Sequence, residues 1–397
     1  MDQAVGLNAA CARAPGIVRT ACVTFDSADP ARELVRLFGA DEMELVILFV
    51  TSQADASSVI AEASAHFAPT PVVGCTTAGE LTGAGYTEDQ IVAMGLPKSH
   101  FRATTRLVPD LDRFDAQDLI DEMIRNRNAM MDDVPDWHHE FTFLMIDGLS
   151  TKEDALTSEL AVGLGPVPLF GGSAGDGTRF EHTYVLHEGQ ALENAAILTQ
   201  VRTRCPIKVF KSDHLVPSSQ RMVVTDADPA RRIVREINAE PAAREYARIL
   251  GKDPEQLTTF TFAAHPVVVQ IGGQHHVRAI QQVAENGDLV FFSAIDEGLV
   301  LTLAEPRNMV DHLEQEMTAL TKSATPDTIL GCDCILRRME AQEKQMTVAL
   351  SNILANNRVV GFSTYGEQFN SIHVNQTLTG VAIYPPEDEK AHDPLAD

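Results

Sequence analysis

Three short turns of small residues, each closed by a carboxylate, are the stretches of this chain best suited to meeting a ligand. They are Val72-Val73-Gly74-Cys75-Thr76-Thr77-Ala78-Gly79-Glu80, Leu169-Phe170-Gly171-Gly172-Ser173-Ala174-Gly175-Asp176 and Val359-Val360-Gly361-Phe362-Ser363-Thr364-Tyr365-Gly366-Glu367. Glycine lets backbone N–H groups approach a ligand closely, and an acid beside them offers a partner for an ammonium group. The three turns are read as lining a common pocket, with Glu80, Asp176 and Glu367 as its acids and Gly172, Ser173 and Tyr365 in its walls.

Nucleophilic chemistry fits these turns less well. Gly171-Gly172-Ser173-Ala174-Gly175 satisfies a bare Gly-x-Ser-x-Gly, but that elbow needs a following helix, and here Asp176-Gly177-Thr178 leads toward a strand. Cys75 has no His in a recognisable partner motif, and a buried thiol is the simpler reading. The glycine spacing matches neither a dinucleotide fingerprint nor a phosphate-binding loop. The chain is therefore not read as an enzyme.

Thirteen histidines are the other chemical resource. His182, His187, His214, His265, His312 and His373 lie in or beside ordered segments, and neutral imidazole is a good ligand for iron. No Cys-x-x-Cys-His is present to attach haem covalently, and spacing alone selects none of them.

Composition narrows the partners. A net charge of −25, from 31 basic and 56 acidic residues, argues against nucleic acid and against an anionic membrane surface. No stretch approaches the roughly 20 apolar residues that span a bilayer. No signal peptide is visible, so the protein is expected in the cytoplasm. Six scattered cysteines form neither a disulfide framework nor a zinc spacing.

The turns must be positioned by regular elements, and hydrophobic periodicity predicts them. Each turn follows an apolar strand and then a helical stretch, the strands being Leu45–Val50, Phe141–Ile146 and Thr328–Leu336. Further helices are expected at Asp55–Phe67, Ala116–Met131, Ala230–Ile237, Ala242–Leu250 and Arg307–Lys322. Strands are expected at Thr259–Phe262, Val267–Ile271, Val277–Val283 and Leu289–Ala294. The spacing of the turn glycines suggests a degenerate fourth unit, with Gly272-Gly273 as its candidate turn. The fold class is α/β (α+β), with mixed sheets covered by helices and two related domains. The expected boundaries are an extension 1–17, domains 18–205 and 206–384, and a disordered tail 385–397.

The three turns, with Asn375-Gln376-Thr377, resemble the FIST sensory domain. Ala264-His265-Pro266, Val277–Val283, Gly331-Cys332-Asp333-Cys334, Arg337-Arg338 and Tyr365–Thr377 resemble, within that family, the stand-alone NosP group of haem-binding nitric-oxide sensors. The resemblance implies haem b on a histidine, nitric oxide as the ligand of its iron, and a histidine kinase regulated in trans, with a possible homo-oligomer. His373 is the first choice for the iron, followed by His214, His182 and His265. The alternative is a haem-free FIST module that binds an amino-acid-like molecule.

Overall fold

The computed structural model describes residues 16–271, 273–387 and 389. Most of the extension and tail expected from the sequence, together with Gly272, lies outside the described residues. The architecture is α/β as expected, with mixed and antiparallel sheets covered by helices.

Three six-stranded sheets share one plan. In the first, Arg19–Thr24, Gln90–Pro97 and Met43–Thr51 run antiparallel, and Met43–Thr51 pairs in parallel with Val72–Thr77. The second repeats this order with Phe101–Val108, Ala196–Thr203, His139–Ile146 and Leu169–Ser173. The third does so with Ile207–Ser212, Leu378–Ile383, Thr328–Cys334 and Val359–Thr364. In each parallel pair a turn glycine faces the carbonyl of its neighbour. A Cβ on Gly74, Gly171 or Gly361 would collide with the carbonyl of Leu48, Leu144 or Gly331. Close strand approach is therefore what these three glycines supply.

Each turn is followed by a short hairpin, and each hairpin joins another unit's sheet. Hairpin 80–87 pairs with Val359–Thr364, hairpin 185–192 with Val72–Thr77, and hairpin 367–374 with Leu169–Ser173. The exchange is cyclic, so the three units close on one another. It also covers the open edge of each parallel pair, where unpaired backbone would otherwise face solvent.

One face of every sheet points into a shared core containing Phe49, Phe143, Phe170, Phe362, Cys75 and Cys332. Phe49 stacks on Phe362 with centroids 4.6 Å apart, and Phe143 on Phe170 at 5.0 Å. Cys75 is fully buried there, and burial pushes its thiol well above the ordinary value. The other faces carry helices. Pro30–Phe38 and Ala56–Phe67 cover the first, Ala116–Asp133 and Glu153–Leu164 the second, and Met309–Thr321 and Thr347–Asn356 the third. The sequence places several of these starts because an acid or amide caps them: Asp55, Asp115 and Asn308 accept from the first free N–H groups.

The segment between Ser212 and Met309 departs from this plan. It forms an eight-stranded sheet whose pairings are all antiparallel, with its own core around Met222, Tyr246, Phe262 and Phe291. The expected fourth unit is therefore absent, since that unit requires a parallel pair. Residues 230–237 form a single 3-10 turn and then the strand Ile233–Ile237, not a helix. Thr259–Ala264 is a helix and not a strand, nucleated by reciprocal capping between Thr258 and Thr261. Strand Val277–Val283 is broken at Arg278-Ala279 into two pieces. Strand Thr328–Leu336 ends at Cys334, where helix Ile335–Glu343 begins.

The shared register identifies equivalent residues. Glu80 faces Phe362, Glu367 faces Gly172 and Val185 faces Cys75, so the three occupy one position in the plan. In two units this position is a buried acid bonded to a threonine, Glu80 to Thr77 and Glu367 to Thr364. In the remaining unit the pair is Ala174 and Val185, both fully buried. Burial pushes the Glu80 carboxyl up to about 7 and that of Glu367 up to about 8. For an acid raised in the folded state, its contribution to stability is full below about 4.5 and is lost as pH rises through about 8. Buried neutral histidines such as His214 and His373 act in the opposite sense below about 6.5, so the acid effect is read above it: unfolding midpoints should fall from pH 6.5 to 9, and Glu367→Gln should flatten that slope. Thr364→Ala alone should cost ~1–3 kcal/mol by leaving the acid short of a partner. The double variant Thr364→Ala/Glu367→Val, which copies the second unit, should cost less than the two single changes summed.

Candidate functional site

Glu80, Asp176 and Glu367 do not converge on one ligand. Glu80 accepts from the Thr77 hydroxyl at 2.5 Å and the Gln90 N–H at 3.2 Å. Glu367 accepts from Thr364 and from the hydroxyl and N–H of Thr377 at 2.8 and 3.2 Å. Both acids pin the strand that returns into the sheet, and both are wholly buried. Asp176 has a different place in the plan. It takes the Tyr365 hydroxyl and the N–H groups of Phe180, Glu181 and His182. Burial alone would raise its pKa, but these four donors hold it below the ordinary carboxylate range. Tyr365 also receives the Asp176 N–H on its hydroxyl oxygen, so this pair staples the second turn to the third.

The first and second turns do border an open cleft of about 270 Å³. One wall is Thr77, Ala78 and Gly79, and the opposite wall is Asp176 to Arg179. Loop 51–53, Glu88 and Asp89 and helix Ile335–Glu343 close the remaining sides. The cleft exists because the second unit carries extra chain between its turn and its hairpin, which begins only at Val185. Arg338 projects from the helix and is almost fully buried, with Nη2 bonded to the Thr87 carbonyl at 2.8 Å and to Glu88 at 3.1 Å. Its guanidinium occupies the space a side chain at residue 79 would need, and Gly79 has φ +128°. Arg179 bonds the Asp176 and Ser52 carbonyls and stays half-exposed. The cleft therefore offers guanidinium groups from Arg338 and Arg179 and carboxylates from Glu88 and Asp89.

The four candidate histidines lie in separate environments. His182 is exposed and its Nδ1 meets Glu193 at 2.8 Å. His265 caps the helix Thr259–Ala264, and its carbonyl takes the Tyr246 hydroxyl. His214 is fully buried with both ring nitrogens engaged, Nε2 by Glu340 at 2.9 Å and Nδ1 by Arg337 at 3.1 Å. Arg337 also bonds Asp333 at 2.7 Å, and Asp333 accepts the Tyr86 hydroxyl at 2.6 Å. This chain ties the first hairpin to helix Ile335–Glu343 through buried charge. Burial lowers the His214 pKa, so its ring is neutral and donates to Glu340.

His373 is also buried, and burial lowers its pKa. Its Nδ1 meets the Gln368 amide at 3.3 Å, while its Nε2 has no partner. Gln368 reaches on to the Ser173 hydroxyl at 3.0 Å, which lies 3.5 Å from Glu153. Glu153 pairs with Arg232 at 2.6 Å, and Arg278 bonds the His373 carbonyl at 3.5 Å. Among the described residues no group of three or more His, Cys, Asp and Glu is arranged to hold a metal ion, and no helix is long and apolar enough to cross a membrane.

Ser173 lies with Gln368 beside His373, and Tyr365 lies on Asp176, so the two do not line one pocket. Arg338, Arg232, Arg278, Glu153 and Gln368 were not singled out as site residues. The adjacent Arg337-Arg338 pair, in the first turn of helix Ile335–Glu343, is the available sequence signal. His214→Ala should cost ~3–5 kcal/mol in denaturant unfolding, because Arg337 and Glu340 lose their shared partner inside the protein. His182→Ala should leave stability within about 0.5 kcal/mol.

Two family domains match the chain in succession, the FIST N domain over residues 44–240 and the FIST C domain over residues 242–370. The chain is also 21% identical over 398 aligned positions to an uncharacterised protein of Methanocaldococcus jannaschii, covering 90% of this chain and 76% of that protein.

Proposed function

The chain belongs to the FIST family, a family of sensory modules in signal transduction, and from that premise we propose that it senses a small zwitterion of the amino-acid type. The cleft between the first two turns carries this reading. Its volume of about 270 Å³ suits a molecule of that size. Arg338 and Arg179 would take the carboxylate, with Arg338 already fixed by Thr87 and Glu88. Glu88 and Asp89 would meet the ammonium group, and the hydroxyls of Thr178 and Ser52 would fill the remaining bonds. A fixed guanidinium loses little freedom on binding, which favours a planar carboxylate over a simple anion.

A second reading follows from His373, the one candidate histidine whose ring nitrogen is buried without a partner. In it the protein holds haem b, responds to nitric oxide and regulates a histidine kinase in trans. When bound, haem would supply an iron that takes the gas. The surroundings fit this group poorly. Ser173 accepts from Gln368 and donates toward Glu153, so Gln368 presents N–H to His373 Nδ1. Nε2 then carries the proton and has no lone pair to offer iron. Gly366 also packs directly against the ring. The kinase rests on the family resemblance alone.

Calorimetric titration with the standard amino acids tests the first reading. At least one should bind, and Arg338→Met should weaken it ~10–100-fold, as expected for losing a charged hydrogen-bond pair. No binding by any of them would overturn it. An absorption spectrum after adding haemin, as ferric, ferrous and ferrous-plus-nitric-oxide samples, tests the second. A stoichiometric Soret band that shifts with nitric oxide and disappears in His373→Ala is its required result, and a protein that stays colourless removes it.

A further inference from the structure

The three exchanged hairpins allow the fold to serve as its own control. By register, Gln368 is equivalent to Leu81 and Leu186, and His373 to Tyr86 and Ala191. Leu81, Leu186 and Gln368 are all fully buried. The plan is thus satisfied twice by leucine at a position where the third hairpin holds a buried amide. That amide keeps its Oε1 unpartnered, and the neighbouring His373 keeps its Nε2 unpartnered. Each such atom carries a desolvation cost of ~1–3 kcal/mol when nothing bonds to it. Packing does not explain the pair.

The elements around it supply matching chemistry. The inserted antiparallel sheet reaches this hairpin through Arg278 and Ala279, which bond the His373 carbonyl at 3.5 Å and Asn375 at 3.4 Å. Arg278 is buried, its Nε has no partner, and no carboxylate lies within ion-pair distance of it among the described residues. The nearby acids are already committed, since Glu153 and Asp154 both pair with Arg232, at 2.6 and 3.3 Å. Ser293, in the bend just after strand Leu289–Phe291, also buries an unpartnered hydroxyl. His373 is held with its proton on Nε2, as argued above. The unpartnered groups that carry hydrogen are therefore an Arg N–H, a His N–H and a Ser O–H, with the Gln368 Oε1 an unpartnered acceptor beside them.

We propose that Arg278 and His373 form the donor pair of a buried carboxylate site where the inserted sheet meets the third hairpin. Gln368 is its positioning residue, because its amide fixes the His373 tautomer that donates. The ligand class is a small mono- or dicarboxylate, bound as an anion. Since Arg278 belongs to the insert and His373 to the three-unit core, occupancy ties the two together. This site is separate from the cleft at Arg338 and stands whether or not the cleft binds amino acids.

Thermal unfolding in acetate or succinate, against chloride at equal ionic strength, tests it on the whole chain. The midpoint should rise by roughly 3 °C or more at saturating carboxylate. The double variant Gln368→Leu/His373→Tyr, which installs the residues of the first hairpin, should fold and lose that rise. Arg278→Met should lose it as well, and serves alone if the double variant fails to fold. Arg338→Met should keep it. Nitrogen NMR of histidine-labelled protein should place the His373 proton on Nε2 in the wild type and release that preference in Gln368→Leu. No midpoint rise in the wild type, a rise that survives Arg278→Met, or a rise abolished by Arg338→Met would each overturn the proposal. So would a His373 proton found on Nδ1.

Discussion

Three sheets enclose one apolar core, and none of them completes its own edge. Each parallel strand pair ends on a row of backbone groups that must be bonded, and the hairpin that bonds them comes from another unit. The hairpin after the first turn completes the third sheet, the hairpin after the second completes the first, and the hairpin after the third completes the second. Gly74, Gly171 and Gly361 allow the close strand approach within each parallel pair. Because the exchange is cyclic, removing any unit exposes two edges. The halves matched as FIST N and FIST C are therefore held together by backbone bonding as well as by the core containing Phe49, Phe143 and Phe362.

Where the plan is kept, residues are structural, and where one unit departs from it, chemistry becomes available. Glu80 and Glu367 look like ligand-binding acids when read in isolation. Their shared position and their bonds to threonine identify them as internal pins, and the Ala174–Val185 pair shows an apolar solution to the same position. The second unit departs by carrying extra chain from Asp176 to Tyr184, and that chain forms a wall of the cleft. The third unit departs twice. It carries the antiparallel insert, and it buries a Gln–His pair where the other hairpins bury leucine with Tyr86 or Ala191. Both candidate ligand centres coincide with these departures.

Buried charge is distributed with the same economy. Arg337 is among the largest fully buried side chains, yet Asp333 and His214 satisfy it, and Glu340 is satisfied by His214 and Lys344. Burial would raise the Glu340 carboxyl, but these bonds hold it below the ordinary range. A network closed in this way fixes one arrangement of helix Ile335–Glu343, and so fixes Arg338 over the cleft. Arg278 is the contrast. It has burial without a carboxylate, which a closed structural network does not leave behind.

The sequence by itself determined the apolar strands, the capped helices, the three glycine turns and the family, because periodicity, caps and close-approach glycines are local signals. It also placed His373 among the residues worth watching. Several elements were misread for local reasons as well: Thr259–Ala264 is rich in strand-forming residues but is capped into a helix, and Ile335–Glu343 follows an apolar strand without any break. The acids were misassigned because sequence counts residues from the turn, whereas equivalence is set by register across strands. That register places Val185, and not Asp176, beside Glu80 and Glu367. Only the tertiary structure decided which hairpin pairs with which sheet, that His214 is sealed on both nitrogens, that Arg338 borders a ligand-sized cleft and that Arg278 keeps an unpartnered Nε. Each of those depends on contacts between residues far apart in the chain, and no local rule of propensity or spacing encodes them.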